Sequence, residues 1–235
     1  MKVCKFERMN NEDEVKQVIG CIQKEHPYVA VIPVLTQLQE WLQAISVSWF
    51  HEEDETSHTI VNAIEEYCRT LTDRLISDRK LNQYMKVQIE KCIEKIQVLV
   101  EDKADLLTDK IIKAEVYGLS NELFACCLRQ QGLRAQTLDT GKFMQINLER
   151  KPDIPYIKES VQQYISEKRD ADIFIAPLSL CKNVYGETDF MNEKRNDYYA
   201  TVLATAFGAD ELLLSTQINH IYANRNSRRE QHSLT

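Results

Sequence analysis

Glycine is scarce in this chain: six in 235, about a third of the roughly 7% that is usual. Phosphate cradles built from backbone amides, which need glycine turns so that the main chain can approach the anion, are therefore scarce. No proline-rich linker, low-complexity tract or internal repeat divides the chain, so one folded domain over 1–235 is expected. No apolar run approaches the roughly 20 residues that span a bilayer, and the N-terminal Met1-Lys2-Val3-Cys4-Lys5-Phe6 meets charge too soon for a secretory signal. A cytoplasmic protein without membrane contact is expected. Positive charge is also short, with 29 Lys and Arg against 36 Asp and Glu and a net charge of -7. General attraction to nucleic acid is not expected, and Arg225, Arg228 and Arg229 read as a solvated tail.

Seven cysteines are present, but no CxxC pair and no histidine at metal spacing accompanies them, which predicts reduced, buried thiols and no metal site. The one grouping of ligand types, His51-Glu52-Glu53 with His58, reads as a solvated connection.

What is there is an alternation of short β-branched runs with longer stretches of helical period. That pattern predicts an α/β protein, a three-layer α/β/α sandwich around a mostly parallel sheet. Strands are expected at Lys2 to Phe6, Tyr28 to Leu35, Leu133 to Leu138, Ala171 to Ala176 and Glu211 to Ser215, with a further one at Phe143 to Asn147. Helices are expected at Glu12 to Lys24, Thr36 to Ile45, Gly118 to Gln131, Ile154 to Lys168 and Asp197 to Phe207, with Gly132 and Gly208 as left-handed caps. Between Glu53 and Lys113 strand signals vanish. Ile60, Ile64, Tyr67, Leu71 and Leu75, then Val87, Ile89, Ile93, Ile96 and Val100, recur at three and four, predicting an antiparallel helical pair turning near Ser77 to Arg79. The segment 53–113 reads as a helical insertion whose charged outer faces are solvated or meet a partner.

Lys2-Val3-Cys4-Lys5-Phe6, the stretch Val29 to Val34 with Thr36-Gln37, the span Ser120 to Asp139, and Asp172 to Asn226 together resemble the catalytic domain of an aspartate kinase. The resemblance implies an amino-acid kinase fold, whose active members move the γ-phosphoryl group of ATP to the carboxylate of aspartate. That chemistry needs a lysine, glycine-turn amides and magnesium around the phosphoryl oxygens. The family's first strand runs into Lys-Phe-Gly-Gly-Thr-Ser; here Lys5 and Phe6 remain, and Glu7-Arg8-Met9-Asn10 follow. Lys5 is the matching catalytic position, or simply a strand-end lysine. Thr36 falls at the family's substrate threonine and also suits a helix N-cap. The family's Arg-Gly-Glu aligns with Glu115-Val116-Tyr117, which places Tyr117 where a substrate-gripping carboxylate is usual. Ser120 matches a serine that opens the next helix.

The glycine-bearing phosphate loop aligns with Asn192 to Asn196 and leaves Asp197 as its one retained acid. The nucleotide-contacting Thr-Asp-Val-Asp-Gly-Val-Tyr aligns with Thr216, Gln217, Ile218, Asn219, His220, Ile221 and Tyr222, so both acids have become amides. Lys194 and Arg195 form a basic pair in the same nucleotide groove. The chain stops at Thr235, without the family's ACT domains, so any homodimer is expected to use another surface, with the helices of 53–113 first in line.

These departures predict a scaffold that has lost phosphoryl transfer, with Lys5 and Asp197 vestigial, no cofactor, and an unidentified protein partner or amino-acid-like ligand. The alternative is a divergent carboxylate kinase that needs ATP and magnesium and relies on Lys5, Lys194, Arg195 and Asp197. A third reading keeps a small-molecule cleft at the strand ends, lined by Tyr117, Tyr198, Tyr199 and His220.

Overall fold

The computed structural model describes residues 1–52, 54–102, 104–166, 170–191 and 196–214. Five short strands make one parallel sheet: β1 (Lys2–Lys5), β2 (Val29–Ile32), β3 (Ala135–Thr137), β4 (Ile173–Pro177) and β7 (Glu211–Leu214), in the order β3-β4-β2-β1-β7. The period-two rule for strands appears directly in the packing. Cys4, Ala30, Ile32, Ile173 and Ile175 point into one core. Val3, Val29, Val31, Phe174 and Ala176 point into the other.

Over the first core lie α1 (Glu12–Glu25), α2 (Thr36–Phe50), α3 (Asp54–Leu75), α4 (Arg79–Glu101) and α5 (Leu106–Arg129); over the second lie α6 (Ile154–Ser166) and α7 (Asn196–Phe207). This is the expected three-layer sandwich. Asn11 caps α1 by accepting from the Glu14 amide, Asp78 caps α4 and Asp105 caps α5, each satisfying amides that have no partner within the helix. Gly132 (φ 86°) and Gly208 (φ 65°) adopt the left-handed backbone expected after α5 and α7.

Several boundaries move. The strand expected at Tyr28 to Leu35 ends at Ile32, because Pro33 cannot donate to a ladder. Phe143 to Asn147 is no strand: a 3-10 turn at Thr140–Lys142 precedes it, and only the isolated bridges Gln145 with Lys182 and Ile146 with Pro152 form. The helix expected to open at Gly118 opens at Leu106, so residue 113, the expected end of the insertion, falls inside α5. A glycine inside a helix costs only about 1 kcal/mol, which the buried faces on both sides of it outweigh. An antiparallel pair not expected at all, β5 (Leu180–Lys182) with β6 (Thr188–Phe190), projects beyond β4. Its turn is held by the Asn183 side chain, which accepts from the Tyr185 and Glu187 amides, and by Gly186 at φ 79°.

Candidate functional site

In a sheet of this kind the connections after neighbouring strands leave to opposite faces at one place, and ligands gather in the crevice that opens there. Here the chain leaves β2 toward α2 on the first face and leaves β4 toward the β5–β6 hairpin and α7 on the second. At their carboxyl ends Arg8, Pro33, Val34, Gln39, Tyr117, Leu178, Ser179 and Asn196 close around a space of about 10 Å³. That is about the volume one water needs.

The loop after β1 forms one wall, and side chains hold it. Phe6 and Met9 are buried in the first core. The Met9 carbonyl accepts from the Thr36 amide at 3.0 Å, and Asn10 Oδ1 accepts from the Thr36 hydroxyl at 2.9 Å. The Asn10 amide donates to Glu14 at 2.8 Å. Lys5, at the end of β1, is only 2% exposed. Its ammonium lies 2.6 Å from Glu7 Oε1 and 3.1 Å from Asp197 Oδ1. Asp197 stands in the first turn of α7, where the helix dipole favours a carboxylate. Lys5 and Asp197, far apart in sequence, thus meet, and Glu7 joins them.

Thr36 is not the N-cap of α2; Leu35 occupies that position without a side-chain bond, and Thr36 instead ties down the Met9–Asn10 turn. Tyr117 is buried and packs edge-on against Phe190, ring centres 5.3 Å apart, bordering the closed crevice and a neighbouring cavity. Ser120 opens no helix: it lies midway along α5, buried, with its hydroxyl unpartnered among the described residues. Tyr199 is a core residue whose hydroxyl donates to the Leu180 carbonyl, whereas Tyr198 is exposed. Lys194, Arg195, Thr216, Gln217, Asn219, His220 and Tyr222 lie outside the described residues.

Sequence reasoning missed Ser179. It is buried, sits at φ 72°, and donates its hydroxyl to Asn196 Oδ1 at 3.1 Å, joining the end of β4 to the start of α7. A non-glycine residue in the left-handed region is strained, and such strain gathers where the chain must turn sharply at a cleft.

Two larger cavities flank the closed crevice. One, of about 460 Å³, is lined by Gln39, Lys110, Lys113, Tyr117, Arg150 and Asp189, among others. Asp189 there is 3% exposed. Burial pushes its pKa up, but the Phe190 amide at 2.8 Å, with Lys110 and Arg150 both at 3.1 Å, overcomes this and leaves it below the ordinary carboxylate range. The other, of about 740 Å³, runs between α4, α5, the 3-10 turn and the hairpin. Ser120 lines neither. All seven cysteines are free and six are buried. Burial pushes the Cys4, Cys68 and Cys181 thiols to about 12, so they stay protonated. No group of metal-ligating side chains occurs among the described residues, and none of their helices is long and apolar enough to cross a membrane.

This architecture is similar to that of solved aspartokinases. Escherichia coli aspartokinase III in complex with aspartate and ADP (R-state) matches 91% of this chain with a TM-score of 0.76 at 19% identity, and the match covers 48% of that chain. The same enzyme in complex with lysine and aspartate (T-state) gives 0.77 at 20% over the same shares. Clostridium acetobutylicum aspartate kinase gives 0.68 at 12%, over 91% of this chain and 47% of its own. The chain therefore spans about half the length of the aspartokinases it matches, and it has the amino-acid kinase fold of their catalytic part. No protein-family model and no curated protein matches.

Proposed function

We propose that this chain is an aspartokinase-like scaffold that no longer transfers phosphate and works by binding a small ligand or a protein partner. The observation that carries the reading is at Lys5, where Glu7 supplies at 2.6 Å the negative charge that a nucleotide phosphate would bring. The crevice lined by Arg8 and Asn196, the chain neighbours of Glu7 and Asp197, retains about 10 Å³, far below the roughly 300 Å³ at which ligand pockets begin. The loop that would cradle phosphate is anchored by buried Met9 and by the Thr36 contacts, and its Asn10 amide is taken by Glu14. Loss of one transition-state donor typically costs about two to three powers of ten in rate, and here several are replaced together. The solved aspartokinases were crystallised with aspartate, ADP and lysine, which makes an amino-acid-like ligand the first class to try.

The second reading, a divergent carboxylate kinase that uses ATP and magnesium, is favoured by one contact, the 3.1 Å pair of Lys5 with Asp197. Isothermal titration of the whole chain with magnesium ATP, alongside a hydroxylamine trap for acyl phosphate in the presence of aspartate, decides between them. The expected result is no heat at millimolar nucleotide and no hydroxamate. Saturable binding of ATP with hydroxamate formation, lost in Lys5→Met, would establish the kinase reading.

A further inference from the structure

The larger cavity contains a glycine that local geometry does not require. Gly118 lies in the middle of α5 without positive φ, and a Cβ added to it would meet no atom within 4 Å. Neither backbone conformation nor close packing calls for glycine here, and glycine weakens a helix interior. What its missing side chain provides is room, because Gly118 and Ala114, one turn apart, line the 740 Å³ groove between α4 and α5. Both the volume and the mixed lining suit a metabolite-sized ligand.

Two further features indicate its chemistry. Asn121, 2% exposed, lines the same groove, and among the described residues its side-chain amide nitrogen has no hydrogen-bond partner. A buried donor left unpaired is costly and is accounted for when a ligand supplies an acceptor. The charges on the walls are mostly committed. Lys95 pairs with Glu115, Lys142 lies 3.9 Å from Asp139, and Glu122 is held by Arg129, Tyr84 and Thr137. Lys91 and Lys182, on opposite walls, have no acidic partner among the described residues. The uncommitted groups are thus two ammoniums at the groove and one amide donor buried in its wall, beside a lining that contains Leu119, Leu138 and Leu180.

We infer that this groove is a binding site for a small organic anion, a carboxylate- or phosphate-bearing metabolite with an apolar portion, held by Lys91 and Lys182 and by Asn121 once its amide turns toward the anion. The site lies apart from the crevice at Lys5, so it can fail while the loss of phosphoryl transfer stands, and the reverse.

The test uses the whole chain with anilinonaphthalene sulfonate, an aromatic anion that fluoresces when it leaves water. Saturable binding is expected, weakened at least tenfold by Gly118→Leu, which fills the groove, and by the Lys91→Gln, Lys182→Gln pair. Gly118→Ala, which adds helix propensity with little bulk, should bind as the native chain does. Thermal melting of each variant separates blockage from misfolding, since Gly118→Leu is expected to melt no lower than native. Displacement by inorganic phosphate would identify a phosphate-bearing ligand, and displacement by succinate a carboxylate; both support the site. Unaltered dye binding in Gly118→Leu, or a dye that neither anion displaces at millimolar concentration, overturns it.

Discussion

A lysine as buried as Lys5 has to be matched by negative charge, and the two acids that match it keep their outer sides in water, with 55% of the Glu7 side chain and 64% of the Asp197 side chain exposed. That asymmetry predicts how substitutions behave. In Lys5→Met an apolar chain of similar length replaces the buried ammonium, both carboxylates return to solvent, and urea denaturation should show stability changed by no more than about 1 kcal/mol. Removing the acids instead, as Glu7→Gln with Asp197→Asn, strands the lysine and should cost on the order of 3 kcal/mol. Asp189 makes the complementary case for pH. Its folded pKa lies below the ordinary value because the Phe190 amide, Lys110 and Arg150 outweigh its burial. A carboxylate depressed in this way contributes stability above its unfolded value of roughly 4, and loses that contribution as pH falls through the folded value. The urea midpoint should therefore drop between about pH 5 and pH 3, and Asp189→Asn should flatten that part of the profile while lowering the midpoint at neutral pH.

Among the elements, two glycines of the same chain make opposite predictions. Gly208 holds φ 65° after α7, where a side chain is strained, and Gly208→Ala should destabilise by about 1 kcal/mol. Gly118 holds no positive φ and has open space at its Cβ, so Gly118→Ala should stabilise by about 0.5 to 1 kcal/mol. Paired urea curves check both signs at once. The same glycine explains a limit on what could be read from the chain. β1, β2, β4 and the ends of α1 and α7 were legible because period-two runs and capping residues are local signals. Gly118 looked like a helix start because its cost is local, whereas the burial of Val116, Leu119 and Leu123 that outweighs it comes from other elements. The β5–β6 hairpin escaped because strands of three residues are too short for alternation to register. In the candidate site, the motifs singled out Lys5 and Asp197, and the structure brings the two together. The role of Glu7 as their third partner, the strained turn at Ser179 and the groove over Gly118 were not legible, since each depends on contacts between segments far apart in sequence.

For the molecule as a whole, the segment 53–113, read in the sequence as an insertion within one domain, raises the question of whether its helices could form a unit of their own. The packing argues against it. Val61, Ile64 and Leu71 of α3 and Met85, Ile89, Ile93 and Ile96 of α4 belong to the same buried cluster as Cys4, Ala30 and Ile175 of the sheet, with α1, α2 and α5 between them. Removing the α3–α4 hairpin would expose the outer faces of α2 and α5 to water, and keeping it alone would leave its own apolar face uncovered. Both tryptophans are placed to test this, because both lie on α2 and touch the helical layer. Trp41 meets Tyr67 of α3 edge-on with ring centres 5.3 Å apart, and Trp49 donates its indole N–H to the Asp102 carbonyl at 3.1 Å. Tryptophan fluorescence therefore reports on the helical layer, while far-ultraviolet circular dichroism reports on all the helices, including α6 and α7 across the sheet. If the two cores unfold together, the two probes should trace one coincident transition in urea. A fluorescence change completed well before the loss of dichroism would instead show that the α3–α4 layer detaches first, and that the chain consists of a sheet domain carrying a separable helical unit.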